Sequence, residues 1–168
     1  MSQPSTAATA PQDKVIIERT YRARVEDLWE LWTTKDGFES WWGPDGFRVD
    51  VHALDARVGG ALEYDMIADA PAMIAAMQQM NQPLSHATRG HYSELRPHTH
   101  LTLVHVIDFI PGVEPYDSTI EVDFHTAGDL ARMVVTLHPH RDPHFTRMSI
   151  EGFTSQLTKL ERRFGAAT

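Results

Sequence analysis

The sequence predicts an α+β fold in which a curved antiparallel sheet of about six to seven strands is covered by one long C-terminal helix. Two observations lead to this prediction. Several segments between residues 47 and 137 alternate apolar and polar residues, as half-buried strands do. The segment at 142–164 instead repeats its apolar residues at helical spacing. Because an antiparallel sheet of such strands has one apolar face, the amphipathic helix is its natural cover, and a cavity can remain between them.

The first two elements are a strand and a short helix. The segment KVIIERTYRAR at 14–24 is typical of a strand, with Val15, Ile17 and Tyr21 among its apolar positions. The next segment, VEDLWELWTT, places apolar residues at i, i+3, i+4 and i+7. This spacing predicts an amphipathic helix, and Gly37 follows soon after to help end it.

The middle of the chain supplies most of the sheet. The segments FRVDVHAL and ALEYDMI lie on either side of the Gly59-Gly60 turn and predict a hairpin. Further strand candidates are LTLVHVIDF at 101–109, STIEVDFH, and ARMVVTL at 131–137, whereas the alternation at 86–95 is weak. No internal repeat or second domain boundary interrupts this series.

The last element is the long helix. Asp142 is a candidate N-cap. Pro143 suits the first helical position, because a backbone N–H there has no partner within the helix and proline lacks that N–H. The apolar stripe that follows consists of Ile150, Phe153, Leu157, Leu160 and Phe164.

Composition restricts the function classes. The 168 residues suit one domain, expected at 14–165 after a disordered tail at 1–13 that is rich in Ser, Thr, Ala and Pro. The tail lacks the basic start and apolar run of a signal peptide, and the chain has no cysteine, so we expect a cytoplasmic protein. The formal charge of −8, without a concentrated basic face, argues against nucleic-acid partners. No apolar run approaches a membrane span, so no membrane partner is expected.

A longer stretch carries a family resemblance. The stretch IIERTYRARVEDLWELWTTKDGFESWWGPDGF resembles the opening of the family named for the activator of heat-shock-protein-90 ATPase, within the START-like (SRPBCC) helix-grip superfamily. The strand-ending RTY, the LWELWT helix, the WWGP turn and a later GG before a strand occur in the same order. The similarity covers about residues 14–165, and Gly152-Phe153 resembles a Gly-Trp pair of the family's last helix. The resemblance implies a helix-grip fold with a hydrophobic ligand pocket, but no fixed chemistry.

Adjacent tryptophans lead into two turn signals in ESWWGPDGF. Trp41 and Trp42 resemble the family's tryptophan pair, whose rings are expected to cover one end of the core, while Gly43, Pro44 and Gly46 turn the chain after them. Direct stacking of one ring on a ligand is the alternative role.

Residues 68–85 are longer and more apolar than the short hairpin that the family places there. Pro71 can start a helix, and Met73 and Met77 share one helical face, which predicts an inserted helix at 71–81. Three roles are open for it: a lid over the mouth of the cavity, plain packing on the sheet edge, or a contact in a homodimer.

One histidine lies on the apolar face of a predicted strand. His105 shares strand parity with Leu103 and Ile107, so it is either a satisfied core residue or a group aimed at a ligand. Tyr92 and Glu94 also share parity and are candidates for the polar part of the same pocket.

A histidine-rich segment offers a weaker signal. HPHRDPH at 138–144 contains a His-x-His spacing that suits a metal, but Pro139 weakens the strand and Asp142 is better used as the helix cap. We therefore expect no metal and no cofactor.

Three functions fit these features. The first is non-enzymatic binding of a small apolar or aromatic molecule in the cavity, the second is a cyclase- or hydrolase-like enzyme using His105 or Glu94 there, and the third is a chaperone-modulating interaction module. No phosphate-binding glycine loop, dinucleotide fingerprint or serine nucleophile elbow is present in the sequence. The candidate cavity residues are Trp41, Tyr64, Met66, Met73, Met77, Tyr92, Glu94, His105, Phe109, Phe124, Met133, Phe153 and Leu157.

Overall fold

The computed structural model describes residues 13–108, 110 and 112–165. The predicted tail therefore lies outside the described residues, apart from its last position. Among the described helices, none combines the length and apolar character needed to cross a membrane. The elements, in chain order, are β1 (Val15–Tyr21), α1 (Val25–Thr33), α2 (Lys35–Glu39), β2 (Phe47–Leu54), β3 (Ala61–Ala68), α3 (Pro71–Gln79), β4 (Ser85–Arg96), β5 (His100–Ile107), β6 (Tyr116–Ala127), β7 (Leu130–Leu137) and α4 (Pro143–Phe164).

The seven strands form one antiparallel sheet, which confirms the predicted α+β architecture. Their order is β1-β7-β6-β5-β4-β3-β2, so the first strand of the chain pairs with the last and the others follow as consecutive hairpins. The segment with weak alternation forms part of β4. Its hydrogen bonds to both neighbouring strands hold this polar stretch in the sheet despite its low apolar content.

Helix α4 contributes its predicted apolar stripe to the core formed with the sheet. Along β7, alternate residues from Ala131 to Leu137 are buried, and Phe153, Leu157 and Leu160 of α4 join the same core cluster. Two polar residues of α4, Thr146 and Gln156, are buried as well. The apolar pattern alone does not predict them.

Helix α4 begins as its sequence predicts. The Oδ1 atom of Asp142 accepts a hydrogen bond from the backbone N–H of His144 at 2.8 Å, and Pro143 occupies the first turn. Because the first N–H groups of a helix have no partner within it, this cap stabilises the start of α4.

The tryptophan pair follows α2 after one residue, Ser40, and both rings are buried. Trp41 is 1% exposed and Trp42 5%, and their indole rings contact Trp32 edge-on at centroid distances of 5.2 and 5.3 Å. Phe38 of α2 stacks on Trp42 at 4.5 Å. The loop is apolar because it closes one end of the core.

A substitution in α4 tests the role of this helix. We expect Leu157→Ala, at a fully buried position, to lower the free energy of unfolding by about 2–5 kcal/mol through lost contacts and a residual cavity. The matched control Thr154→Ala, on the exposed face of the same helix, is expected to change it by less than about 0.5 kcal/mol. Urea denaturation measures both. Equal effects of the two substitutions would contradict the assignment of α4 as the cover of the core.

Candidate functional site

Five neighbouring strands present one row of side chains towards α4. In an antiparallel sheet, directly paired residues project from the same face, and the register pairs Tyr64 with Thr88 and His105 with Ser118. Residues two positions along each strand extend the row. The sheet side of the cavity is formed by Tyr64, Met66, His86, Thr88, His105, Ile107, Ser118, Ile120 and Leu137.

One face of α4 lies opposite this row. Its lining residues are Phe145, Met148, Ser149, Gly152, Phe153 and Gln156, which recur at i, i+3, i+4, i+7, i+8 and i+11. Trp42, Pro44, Ile110 and His140 complete the described lining of a cavity of about 360 Å³. Since the Met148 side chain is 51% exposed, the first half of α4 marks the side on which the cavity meets solvent.

A hydrogen-bonded chain of three buried side chains forms one polar part of the wall. The indole Nε1–H of Trp42 donates to the hydroxyl oxygen of Tyr64 at 2.9 Å, and that oxygen lies 3.0 Å from Nε2 of His105. The Trp42 and His105 rings stack with centroids 6.0 Å apart. His105 thus lines the cavity with one ring nitrogen already within hydrogen-bond distance of the Tyr64 hydroxyl.

Burial keeps these polar groups uncharged. Desolvation lowers the pKa of His105 to about 4. Desolvation also raises the pKa of Tyr64 well above its usual range, against the opposing effect of hydrogen bonds from Trp42 and Thr88. Burial lowers the pKa of His86, with Asp65 partly offsetting it, and burial also lowers the pKa of His140, another lining residue. At neutral pH the imidazoles with lowered pKa are neutral.

Gln156 is the buried polar side chain that α4 adds to the wall. It is 3% exposed, and its Oε1 atom accepts a hydrogen bond from the backbone N–H of Gly43 at 2.9 Å. Its Nε2 atom is buried and has no hydrogen-bond partner among the described residues.

Charge distinguishes this cavity from a larger groove on the surface. A groove of about 620 Å³ between α1, α2 and the end of α4 is lined by Asp27, Glu30, Lys35, Asp36 and Arg163, among others. The described lining of the cavity under the sheet contains no Asp, Glu, Lys or Arg. The cavity is thus uncharged and largely apolar, whereas the groove is charged.

Part of the cavity lining consists of residues that were candidates from the sequence. Tyr64, Met66, His105 and Phe153 line the cavity, as expected of them. Phe109 lies outside the described residues. Four other candidates are fully or nearly fully buried in the core without lining the cavity: Tyr92, Phe124, Met133 and Leu157.

Trp42 takes the place expected of Trp41 in the cavity wall. The Trp41 indole N–H donates to the backbone oxygen of Leu31 at 2.9 Å, which turns its ring towards α1 and away from the cavity. Adjacent residues in a loop point in different directions, so a sequence pair cannot by itself identify which ring faces a ligand.

The placement of Glu94 in the pocket was wrong, and a β-bulge explains the error. Between Tyr92 and Glu94 the register of β4 shifts by one residue against β5, so strict alternation fails there. Tyr92 and Leu95 face the core, while Glu94 is half-exposed and accepts a hydrogen bond from the Thr102 hydroxyl at 2.9 Å.

The lid hypothesis for the methionine-rich segment is not supported. The segment contains helix α3, but none of the residues of α3 is buried, and neither Met73 nor Met77 lines the cavity. The helix instead begins beside the loop after the tryptophans, where the N–H of Ala70 donates to the backbone oxygen of Gly46 at 3.1 Å.

The histidine-rich segment is used in hydrogen bonds within the fold. Nε2 of His138 lies 2.6 Å from a carboxylate oxygen of Glu121, and Nδ1 of His140 lies 2.6 Å from the Tyr116 hydroxyl. Across residues 13–108, 110 and 112–165, no group of three or more His, Cys, Asp and Glu side chains is arranged to hold a metal ion.

Three lining residues that were not among the candidates can be related to the sequence in two ways. Thr88 and Ser118 follow from strand register, because each is paired with a residue already suspected. Gln156 lies one helical turn after Phe153 on the same face of α4, where an amide interrupts an apolar stripe. A polar residue in such a position is a signal for either a buried hydrogen bond or a ligand contact.

An antiparallel sheet that carries a long C-terminal helix on one face, with the space between them lined by both, defines a helix-grip (START-like) protein. The family model described as Activator of Hsp90 ATPase homolog 1-like protein matches residues 22–165, and the chain belongs to this family.

Solved structures support the same fold. A crystal structure of a protein from Chromobacterium violaceum is similar with a TM-score of 0.71 at 22% identity, covering 90% of this chain and 96% of that one. The AHSA1 protein from Silicibacter pomeroyi is similar with a TM-score of 0.69 at 18% identity, with coverage of 90% and 96%. At these identities the likeness shows the fold alone. Comparison with curated proteins finds no match.

The buried His105 makes stability depend on pH. In the unfolded chain the pKa of His105 returns to about 6.5. At a pH between its folded and unfolded pKa values, only the unfolded state binds the proton. Lowering the pH through this range therefore destabilises the fold. We expect this histidine to account for about 2 kcal/mol of lost stability between pH 7 and pH 5. Urea denaturation of wild type and His105→Gln at the two pH values measures it as the difference between their pH dependences.

A matched control is His125→Gln, since His125 is exposed. It is expected to retain the wild-type pH dependence. The same loss of stability in His105→Gln as in wild type would show that His105 is not held neutral in the fold.

Proposed function

We propose that the protein binds a small hydrophobic or aromatic molecule between the sheet and α4 and catalyses no reaction on it. The observation that supports this most directly is the uncharged, largely apolar lining of a cavity of about 360 Å³. Ligand pockets for small molecules typically occupy ~300–1,000 Å³ and combine apolar walls with a few polar groups. The cavity lies at the small end of that range.

The walls suit an aromatic or compact apolar ligand. The rings of Trp42 and Phe153 meet at a centroid distance of 6.2 Å and an angle of 69°, so they offer a ring face and a ring edge in one corner. Met66 and Met148 add flexible, polarizable side chains that adapt to the outline of a ligand.

The chemistry of the polar groups favours binding over catalysis. A general base is most effective when its pKa lies near the working pH, but burial lowers the pKa of His105 to about 4. The raised pKa of Tyr64 likewise keeps its hydroxyl protonated. Glu94, the other candidate for acid–base chemistry, does not line the cavity. Neutral His105 and Tyr64 are suited to hydrogen bonding.

Filling the cavity tests the proposal. A Cβ atom at Gly152 would lie 3.6 Å from Cγ of Pro44, an ordinary contact, so a side chain at this position extends along the cavity wall without a backbone clash. We expect wild type to enhance the fluorescence of the neutral probe N-phenyl-1-naphthylamine, and Gly152→Leu to weaken its binding by about tenfold or more. Replacing glycine within a helix also removes a propensity cost of about 1 kcal/mol, so the variant is expected to stay folded.

The matched control is Thr154→Leu, which adds a large side chain on the exposed face of the same helix. It is expected to bind the probe as wild type does, and circular dichroism melting checks the fold of both variants. Absence of probe binding by wild type, or unchanged binding by a folded Gly152→Leu variant, would overturn the proposal.

A further inference from the structure

We infer that the cavity selects an uncharged ligand carrying a hydrogen-bond acceptor, such as a carbonyl oxygen, which receives a hydrogen bond from Nε2 of Gln156. This inference rests on the proposed function and names the chemical class of the ligand. It assigns to Gln156 the role of determining specificity within an otherwise apolar wall.

The orientation of the Gln156 amide is fixed by its backbone partner. Because the Gly43 N–H is a donor, the amide atom 2.9 Å away must be the acceptor oxygen, and the amide nitrogen must occupy the other position. The Nε2 atom therefore presents two N–H donors that no described residue accepts. A buried donor without a partner is costly, and such atoms are rare in folded proteins.

The position of this donor links it to the cavity. Gln156 is a lining residue, whereas Tyr21, whose hydroxyl is the other buried side-chain atom without a partner in the described chain, does not line the cavity. Gly43 follows Trp42 directly, and Phe153 precedes Gln156 by one helical turn. The Nε2 atom itself is buried in the empty cavity, so an acceptor reaches it when the ligand displaces the side chains that cover it, next to Trp42 and Phe153.

The absence of a cation from the described lining determines which kind of acceptor the cavity can bind. No Lys or Arg lies in the described lining, and burial lowers the pKa of His86, His105 and His140, so no cation is available at neutral pH. A carboxylate would be desolvated without a counter-charge, which is strongly unfavourable. A ketone, ester, amide or ether oxygen carries no such penalty.

Three naphthalene probes of similar shape test the inference. They are 2-acetylnaphthalene, which has a carbonyl oxygen; 2-ethylnaphthalene, in which a methylene replaces the carbonyl; and 2-naphthoate, which is charged. We expect wild type to bind the ketone about fivefold or more tightly than the ethyl compound, and to bind the carboxylate most weakly. Titration by ¹H–¹⁵N NMR gives the affinities and also follows the side-chain NH₂ signals of Gln156. These signals are expected to shift with the ketone and far less with the ethyl compound.

Two variants isolate the donor. Gln156→Glu, titrated at a high pH at which its buried carboxyl group is ionised, keeps an oxygen for the Gly43 N–H and has no donor. Gln156→Met removes both interactions at similar side-chain length. Both are expected to lose the preference for the ketone, while Gln156→Met continues to bind 2-ethylnaphthalene within about twofold of wild type. The wild-type NMR readout does not depend on either variant folding.

The outcomes separate the two proposals. Failure of wild type to bind any of the probes contradicts ligand binding in the cavity, and with it this inference. Equal binding of the ketone and the ethyl compound, or a ketone preference that survives in Gln156→Met, overturns the role of Gln156 and leaves the binding function supported. Tighter binding of the carboxylate than of the ketone overturns the requirement for an uncharged ligand.

Discussion

Two adjacent tryptophans in a loop impose a constraint on which much of the structure depends, because each buried indole N–H needs an acceptor. Trp41 donates to the backbone of α1, and Trp42 donates to the Tyr64 hydroxyl on β3. The loop is thereby tied to a helix on one side and to the sheet on the other. The next residue, Gly43, donates to Gln156 on α4. One short segment thus connects helices and sheet at the end of the cavity.

This arrangement also places the polar groups of the cavity. Tyr64 receives the Trp42 hydrogen bond and lies within hydrogen-bond distance of His105, so all three side chains are held in one orientation. Their hydrogen bonds are therefore made within the protein itself. The Gln156 amide differs, since only its oxygen is engaged. The cavity wall therefore combines a satisfied polar network with one buried donor group whose hydrogen bonds no described residue accepts.

The sequence was sufficient for the architecture and for part of the site. Alternation and helical spacing predict the strands and α4 because they record which face is buried, and Tyr64, Met66, His105 and Phe153 follow from the same rule. The errors arise where local geometry departs from the rule: the bulge in β4 moves Glu94 outside. The lining residues on other strands require the register, which depends on pairings distant in sequence and is not visible in any single segment.

The dual use of Gln156 explains why a residue with an unpaired buried donor is compatible with a stable fold. The Gly43 N–H needs an acceptor, and a carboxylate in its place would bring a charge into an uncharged cavity. An amide supplies the acceptor without charge, but it necessarily brings two N–H donors with it. If these donors faced solvent, water would accept their hydrogen bonds and they would indicate no ligand. The space beside Trp42 and Phe153 has no described charged side chain. In the proposed complex an acceptor-bearing ligand satisfies these donors there, so binding removes a cost that the empty fold carries. On this proposal, the same atom that weakens the empty protein gives the cavity its selectivity.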